Sequence, residues 1–117
     1  MTPLKQAERE SRLFHIAEAC AAVLRFAEGR SVSDLESDLL LRSAIERQLT
    51  IIGEAMVRLR EADPEISSNV ADVPRIIAFR NRLIHGYDSV DTERVWAIIK
   101  TDLPRLLAEV RALLPSS

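Results

Sequence analysis

Cysteine, glycine and long apolar runs are scarce in this chain, and each scarcity narrows what it can be. Cys20 is the only cysteine among 117 residues, so no intrachain disulfide can form. Three glycines leave little room for many tight turns. No charge-free stretch approaches the eighteen or so apolar residues of a membrane span. The opening MTPLKQAERESRLF is charged throughout, unlike a signal peptide. A cytoplasmic protein with no membrane partner is the expectation. Acid is missing from one place in particular. The net charge is −2, which does not announce a nucleic-acid binder. Yet no Asp or Glu occurs between Asp72 and Asp88, where Arg75, Arg80 and Arg82 lie. A local patch of about +3 is where a phosphate would go.

What is present is mostly helix-forming. Ala, Leu, Glu and Arg dominate. Hydrophobic residues make up 47% and charged residues 29%, a soluble globular balance. The length fits one domain over residues 1–117. Thr2-Pro3 can start a helix, along which Leu13, Ile16, Cys20, Val23 and Ala27 form one face. Gly29 stops it. Ser33 is a candidate N-cap for a second long helix, with Leu41, Ile45, Leu49, Ile52, Met56 and Leu59 on one face. That helix should pack antiparallel on the first. Asp34, Glu36 and Asp38 suit a first helical turn better than a metal site. Gly53 costs about 1 kcal/mol relative to alanine inside a helix, so close approach of a neighbour is its simple explanation. Asp63-Pro64 ends the helix, and 64–73 reads as loop. Pro74 can start a short third helix running to His85, closed by Gly86. Asp91 caps a last helix, with Val95, Ile99, Leu103, Leu106, Val110 and Leu113 on one face. Pro104 should kink it. Phe79 and Trp96 read as core. The expected fold is all-α, an up-and-down bundle of four main helices.

One stretch departs from this pattern. FRNRLIHGYDSV, residues 79–90, gathers Arg80, Asn81, Arg82, His85 and Tyr87. Arg80 shares a helical face with Ile76, Leu83 and Ile84, so it must snorkel out or meet an anion. Asn81 and His85 are four apart and therefore neighbours. Arg80 and His85, five apart, converge only if the helix ends or loosens near His85. Spacing alone favours a plainer account, with His85 a dipole-compensating cation at a helix C-terminus and the Arg-Asn pair a local crosslink. His15, with Glu18 three residues on, lacks the further ligands a metal site needs.

A family resemblance shifts the balance. R-x4-H, as Arg80-NRLI-His85, followed one residue later by Tyr87, resembles the motif of the HEPN superfamily. More closely, the chain resembles the HepT toxins of HEPN/minimal-nucleotidyltransferase toxin–antitoxin pairs. IERQLTIIGEAMVRL (45–59) is similar to that family's second helix. IIAFRNRLIHGYDSVD (76–91) is similar to its third helix and exit, and TERVWAIIKTDLPRLLAEV (92–110) to its last. Many relatives carry tryptophan just after the proline that precedes the motif, where this chain has Arg75.

The resemblance implies a metal-independent endoribonuclease without a cofactor, acting as a homodimer in a type VII-like toxin–antitoxin system. Arg80 and His85 would be catalytic. RNA brings its own nucleophile, the 2′-hydroxyl. An imidazole can move protons near neutral pH, and a guanidinium can stabilise a dianionic phosphorane. Asn81 would orient the imidazole or bind substrate, and Arg82 would hold a neighbouring phosphate. Tyr87 would accept AMP from the nucleotidyltransferase antitoxin. The rival reading is an inactive HEPN-type binding module that holds a nucleotidyltransferase or a nucleotide.

Overall fold

Four long helical segments build an up-and-down bundle, and a computed structural model describes residues 1–86 and 90–115 of it. Helix α1 spans Pro3–Ala27. Thr2 caps it, its hydroxyl accepting from Lys5 N, and Pro3 stands in the first turn, where a missing N–H does no harm. Gly29, at φ 72°, turns the chain out of the helix. Every residue of the expected α1 face is buried, and so is every residue of the α3 face (α3 spanning Leu39–Ala62).

The two helices run antiparallel. Arg9, near the start of α1, pairs with Asp63 at the end of α3 at 3.0 Å, and Arg30 reaches Asp38 at the start of α3 at 3.8 Å. Cys20, on the buried α1 stripe, has no exposure. Burial pushes its thiol up to about 12, against a smaller opposing pull from Arg111.

The second helix does not begin at Ser33 as expected. Ser31 is the cap of a separate short helix, α2 (Val32–Ser37). Its hydroxyl accepts from Asp34 N while the Asp34 carboxylate accepts from Ser31 N, a reciprocal capping box. The chain then breaks at Asp38, which caps α3 through Leu41 N. The acidic cluster is thus divided between two caps and Glu36, which accepts from the Thr92 hydroxyl at 3.2 Å. Residues 64–73 are also less loop-like than their composition suggests. Ile66 opens a single 3-10 turn, and both it and Val70 are buried, pinning the connection to the core.

Helix α4 (Val73–His85) carries Pro74 in its first turn and ends where expected, before Gly86. Asp91 caps α5 (Thr92–Ala97), accepting from Glu93 N. A π-helical stretch, Ile98–Asp102, leads into α6 (Leu103–Leu113). This is how the chain accommodates Pro104. Proline has no N–H to give and its ring crowds the carbonyl four residues back, so the turn before it widens. Val95, Ile99, Leu103, Leu106 and Val110 remain buried on one face. Phe79 is core, whereas Trp96 is only half-buried, with the Lys100 ammonium 4.9 Å from its ring centre. No helix among the described residues is long and apolar enough to cross a membrane.

Candidate active site

The site begins with Gly53. A Cβ built there would lie 2.1 Å from Arg80 Cβ and 2.5 Å from its Cγ. Real carbon atoms do not approach so closely, so only glycine lets α4 settle on α3 at this level. The space a side chain would take is filled by the root of Arg80.

That contact determines the state of the guanidinium. Arg80 is half-buried. Its Nε is sealed from solvent and is the only buried side-chain nitrogen or oxygen among the described residues without a hydrogen-bond partner. Its Nη1 donates to Asn81 Oδ1 at 2.7 Å. No carboxylate among the described residues pairs with Arg80. A buried donor left unmatched disfavours the fold by about 1–3 kcal/mol, and such a group calls for an explanation in function or in an occupant.

Of the residues singled out from sequence, the structure brings Arg80 and Asn81 together directly. Asn81 faces the guanidinium rather than the imidazole; no hydrogen bond links it to His85. His85 is exposed in the last turn of α4, and Arg82 is exposed two residues beyond Arg80. Neither is held by a side-chain hydrogen bond from a described residue. Arg80 does not snorkel fully; of the apolar residues near it on the helix, Ile76 and Leu83 pack against the core while Ile84 is 43% exposed. The buried face of α4 is Val73, Ile77 and Phe79. Tyr87 lies outside the described residues.

Arg75 does not join a contiguous basic patch. It lies about 140° around the helix from Arg80 and reaches Asp102 at 3.3 Å and Asp72 at 3.9 Å. Asp72 also receives Arg105 and adopts the left-handed conformation, φ 62°, which aspartate tolerates better than most residues. These pairs tie α4 to the C-terminal helix and take Arg75 out of reach of the site.

Another set of basic side chains does reach it. A groove runs beside Arg80, lined by Arg12 and His15 of α1 and by Glu54 and Arg58 of α3. Sequence reasoning passed over Arg12 and Arg58 and considered His15 only as a metal ligand. The signal was faint, because residues 12 and 15 share a helical face, as do 54 and 58, but nothing in either segment says that the two faces adjoin. Among the described residues no three His, Cys, Asp or Glu side chains cluster as metal ligands would.

The chain also has recognisable relatives. The family model described as HepT-like, Ribonuclease HepT-like, matches residues 16–113. A protein of Caldanaerobacter subterraneus subsp. tengcongensis named "Putative RNase" is 33% identical over 87% of this chain and 90% of its own length. One of Methanocaldococcus jannaschii with the same style of name is 31% identical over 84% and 89%. The "Probable ribonuclease HepT" of Thermococcus cleftensis is 30% identical over 84% and 88%. No solved structure gives a match of comparable significance. With a family model spanning most of its length and relatives aligned nearly end to end, this chain belongs to the HepT-like ribonuclease family.

Proposed function

We propose that the protein is a metal-independent endoribonuclease in which Arg80 and His85 act on the scissile phosphodiester. The observation that carries this reading is the state of Arg80: a guanidinium held by Asn81, seated on Gly53, with a buried unmatched Nε and an exposed histidine at the end of the same short helix. The 2′-oxygen attacks phosphorus, the P–O2′ bond forms, and the P–O5′ bond breaks. One proton leaves the 2′-hydroxyl and one arrives on the 5′-oxygen. Imidazole suits either transfer. Charge that builds on the non-bridging oxygens is met by the guanidinium. Asn81 presets that guanidinium, and exposed Arg82 is available for a neighbouring phosphate.

Arginine is needed here for shape as well as charge, because a planar fork can bind a phosphate at two points while held by Asn81 at a third. Arg80→Lys is therefore expected to lose at least about tenfold in kcat/KM, the worth of one such interaction. Wild-type rates in that variant would reduce Arg80 to a point charge and remove the argument.

Each chain supplies one histidine at the end of α4 for two proton transfers. A homodimer that brings two such helix ends into one cleft resolves this, and the exposed Ile84 beside His85 offers apolar surface for the contact. Light scattering that found the active species to be strictly monomeric would rule the shared cleft out.

The same reading extends to control by a minimal nucleotidyltransferase antitoxin that transfers AMP to Tyr87, two residues past His85. The tyrosine oxygen displaces pyrophosphate from ATP, and the attached phosphate brings negative charge to the place where RNA phosphate must bind. Tyr87→Phe should keep most cleavage activity and gain no mass when incubated with the partner, ATP and Mg²⁺. Equal AMP addition to that variant would place the modification elsewhere.

A further inference from the structure

The groove beside Arg80 carries more charge than one phosphate needs. Three arginines, Arg12, Arg58 and Arg80, line it against the single carboxylate of Glu54, with His15 adding a further donor. Arg12 and Arg58 already have partners, each within its own helix. Arg12 Nε donates to Glu8 at 2.9 Å in a part-exposed pair, and Arg58 Nη1 lies 3.6 Å from Glu61 in a well-exposed one. Such surface pairs contribute between nothing and about 1 kcal/mol, so a phosphate can replace either carboxylate. Phe14 adjoins the groove at His15, with ring centres 6.3 Å apart. It is 51% exposed, although the residues on either side of the α1 stripe, Leu13 and Ile16, are fully buried. Phe14 lines a neighbouring hollow that shares His15 and Ile51 with the groove, and a charged groove with a solvent-facing aromatic ring beside it is the arrangement by which single-stranded nucleic acid is held without reading its sequence.

We propose that this groove is the track for the single-stranded RNA that flanks the cleavage site. Arg58 and Arg12 contact successive phosphates leading away from Arg80, and Phe14 stacks on a base. The proposal rests on the ribonuclease reading for the identity of its ligand, but its test does not depend on cleavage. A single strand is favoured over a duplex because stacking on Phe14 needs an unpaired base.

The probe is a fluorescein-labelled single-stranded 2′-deoxy oligonucleotide of about a dozen nucleotides, within the range such tracks cover. It lacks the 2′-hydroxyl and so reports binding alone. Its affinity is measured by anisotropy across a series of salt concentrations. Each phosphate contact on a single strand contributes about 0.7 to the slope of log K against log salt. The variant Arg12→Ala/Arg58→Ala should therefore lose about 1.4 of that slope. The charge-matched control Arg30→Ala/Arg60→Ala, with both residues exposed and outside the groove, should lose none. Phe14→Ala should weaken binding about 5- to 150-fold at every salt concentration without changing the slope.

An unchanged slope in the groove variant overturns the proposal. So does an equal loss in the control, wild-type affinity in Phe14→Ala, or a wild-type protein that binds no oligonucleotide. The last result would fit a groove that receives an acidic protein instead. A protein that cleaves no RNA but shows the predicted slopes keeps the track and loses the ribonuclease reading. One that cleaves RNA with unchanged slopes does the reverse.

Discussion

Replacing His85 with alanine is expected to lower RNA cleavage by roughly 10²–10⁴-fold, the usual contribution of a general acid or base, or about 3–5 kcal/mol of barrier. The fold should hardly notice. His85 is exposed in the last turn of α4, and no side-chain hydrogen bond or ion pair from a described residue holds it. The contrast between a large kinetic loss and a small change in stability separates a chemical role from a structural one. The measurement pairs initial rates on single-stranded RNA with urea unfolding of the same preparation. Retained cleavage by pure, folded His85→Ala would remove the imidazole from the mechanism.

Gly53→Ala tests the scaffold rather than the chemistry. Two effects of opposite sign meet at this position. Alanine is the better helix former by about 1 kcal/mol, which in isolation would stabilise α3. Against this, the new methyl would sit 2.1 Å from Arg80 Cβ and 2.5 Å from Cγ. Those atoms are the root of the side chain and cannot swing aside, so α4 must move off α3. Overpacking of this kind costs about 1–3 kcal/mol, and a clash with the root of a side chain belongs at the top of that range. The net expectation is a loss of about 1–2 kcal/mol in stability. It should be accompanied by at least a tenfold fall in cleavage, because the guanidinium is displaced with the helix that carries it. Urea unfolding and the cleavage rate should move together. A variant that is more stable than wild type and fully active would show that the α3–α4 contact is slacker than the structure has it.

The positions that could be read from sequence are those where one local rule acts alone. The α1 stripe Leu13, Ile16, Cys20, Val23 and Ala27 follows from helical period alone and is buried throughout. Gly29, Pro74, Gly86 and Asp91 mark helix ends through their own backbone or side-chain chemistry. Gly53 pointed to close approach, though not to Arg80 as the neighbour. What escaped notice depended on competition between rules or on contacts across the fold. Ser31 and Ser33 are both acceptable caps, and the reciprocal bond with Asp34 selects the first. Pro104 demands some distortion, but a kink and a widened turn satisfy it equally, and the structure takes the widened turn. Arg75 looked like a member of the basic patch because no acid follows it until Asp88, yet Asp72 lies one helical turn before it and Asp102, distant along the chain, lies close in space.

At the site the same division holds. The resemblance carried by Arg80, His85 and the residues around Gly53 pointed to family and chemistry together. Asn81 was placed beside His85 by the four-residue rule, and the structure instead turns it to its immediate neighbour Arg80. Helical spacing says which side chains are near each other, but not which of two nearby partners a short amide will choose. The basic groove lay beyond reach altogether, since it exists only where α1, α3 and α4 meet.

The central claim is that RNA is cleaved by its own 2′-hydroxyl with Arg80 and His85 assisting, and the chemical form of the products tests it most directly. Single-stranded RNA is incubated with purified protein in excess EDTA, and the new ends are identified by mass. The account predicts a 2′,3′-cyclic phosphate on one fragment and a free 5′-hydroxyl on the other, with no cleavage when the nucleotide 5′ to the scissile phosphate is 2′-deoxy. Ends bearing a 3′-hydroxyl and a 5′-phosphate, formed only when Mg²⁺ is restored and formed equally well on the 2′-deoxy substrate, would contradict it.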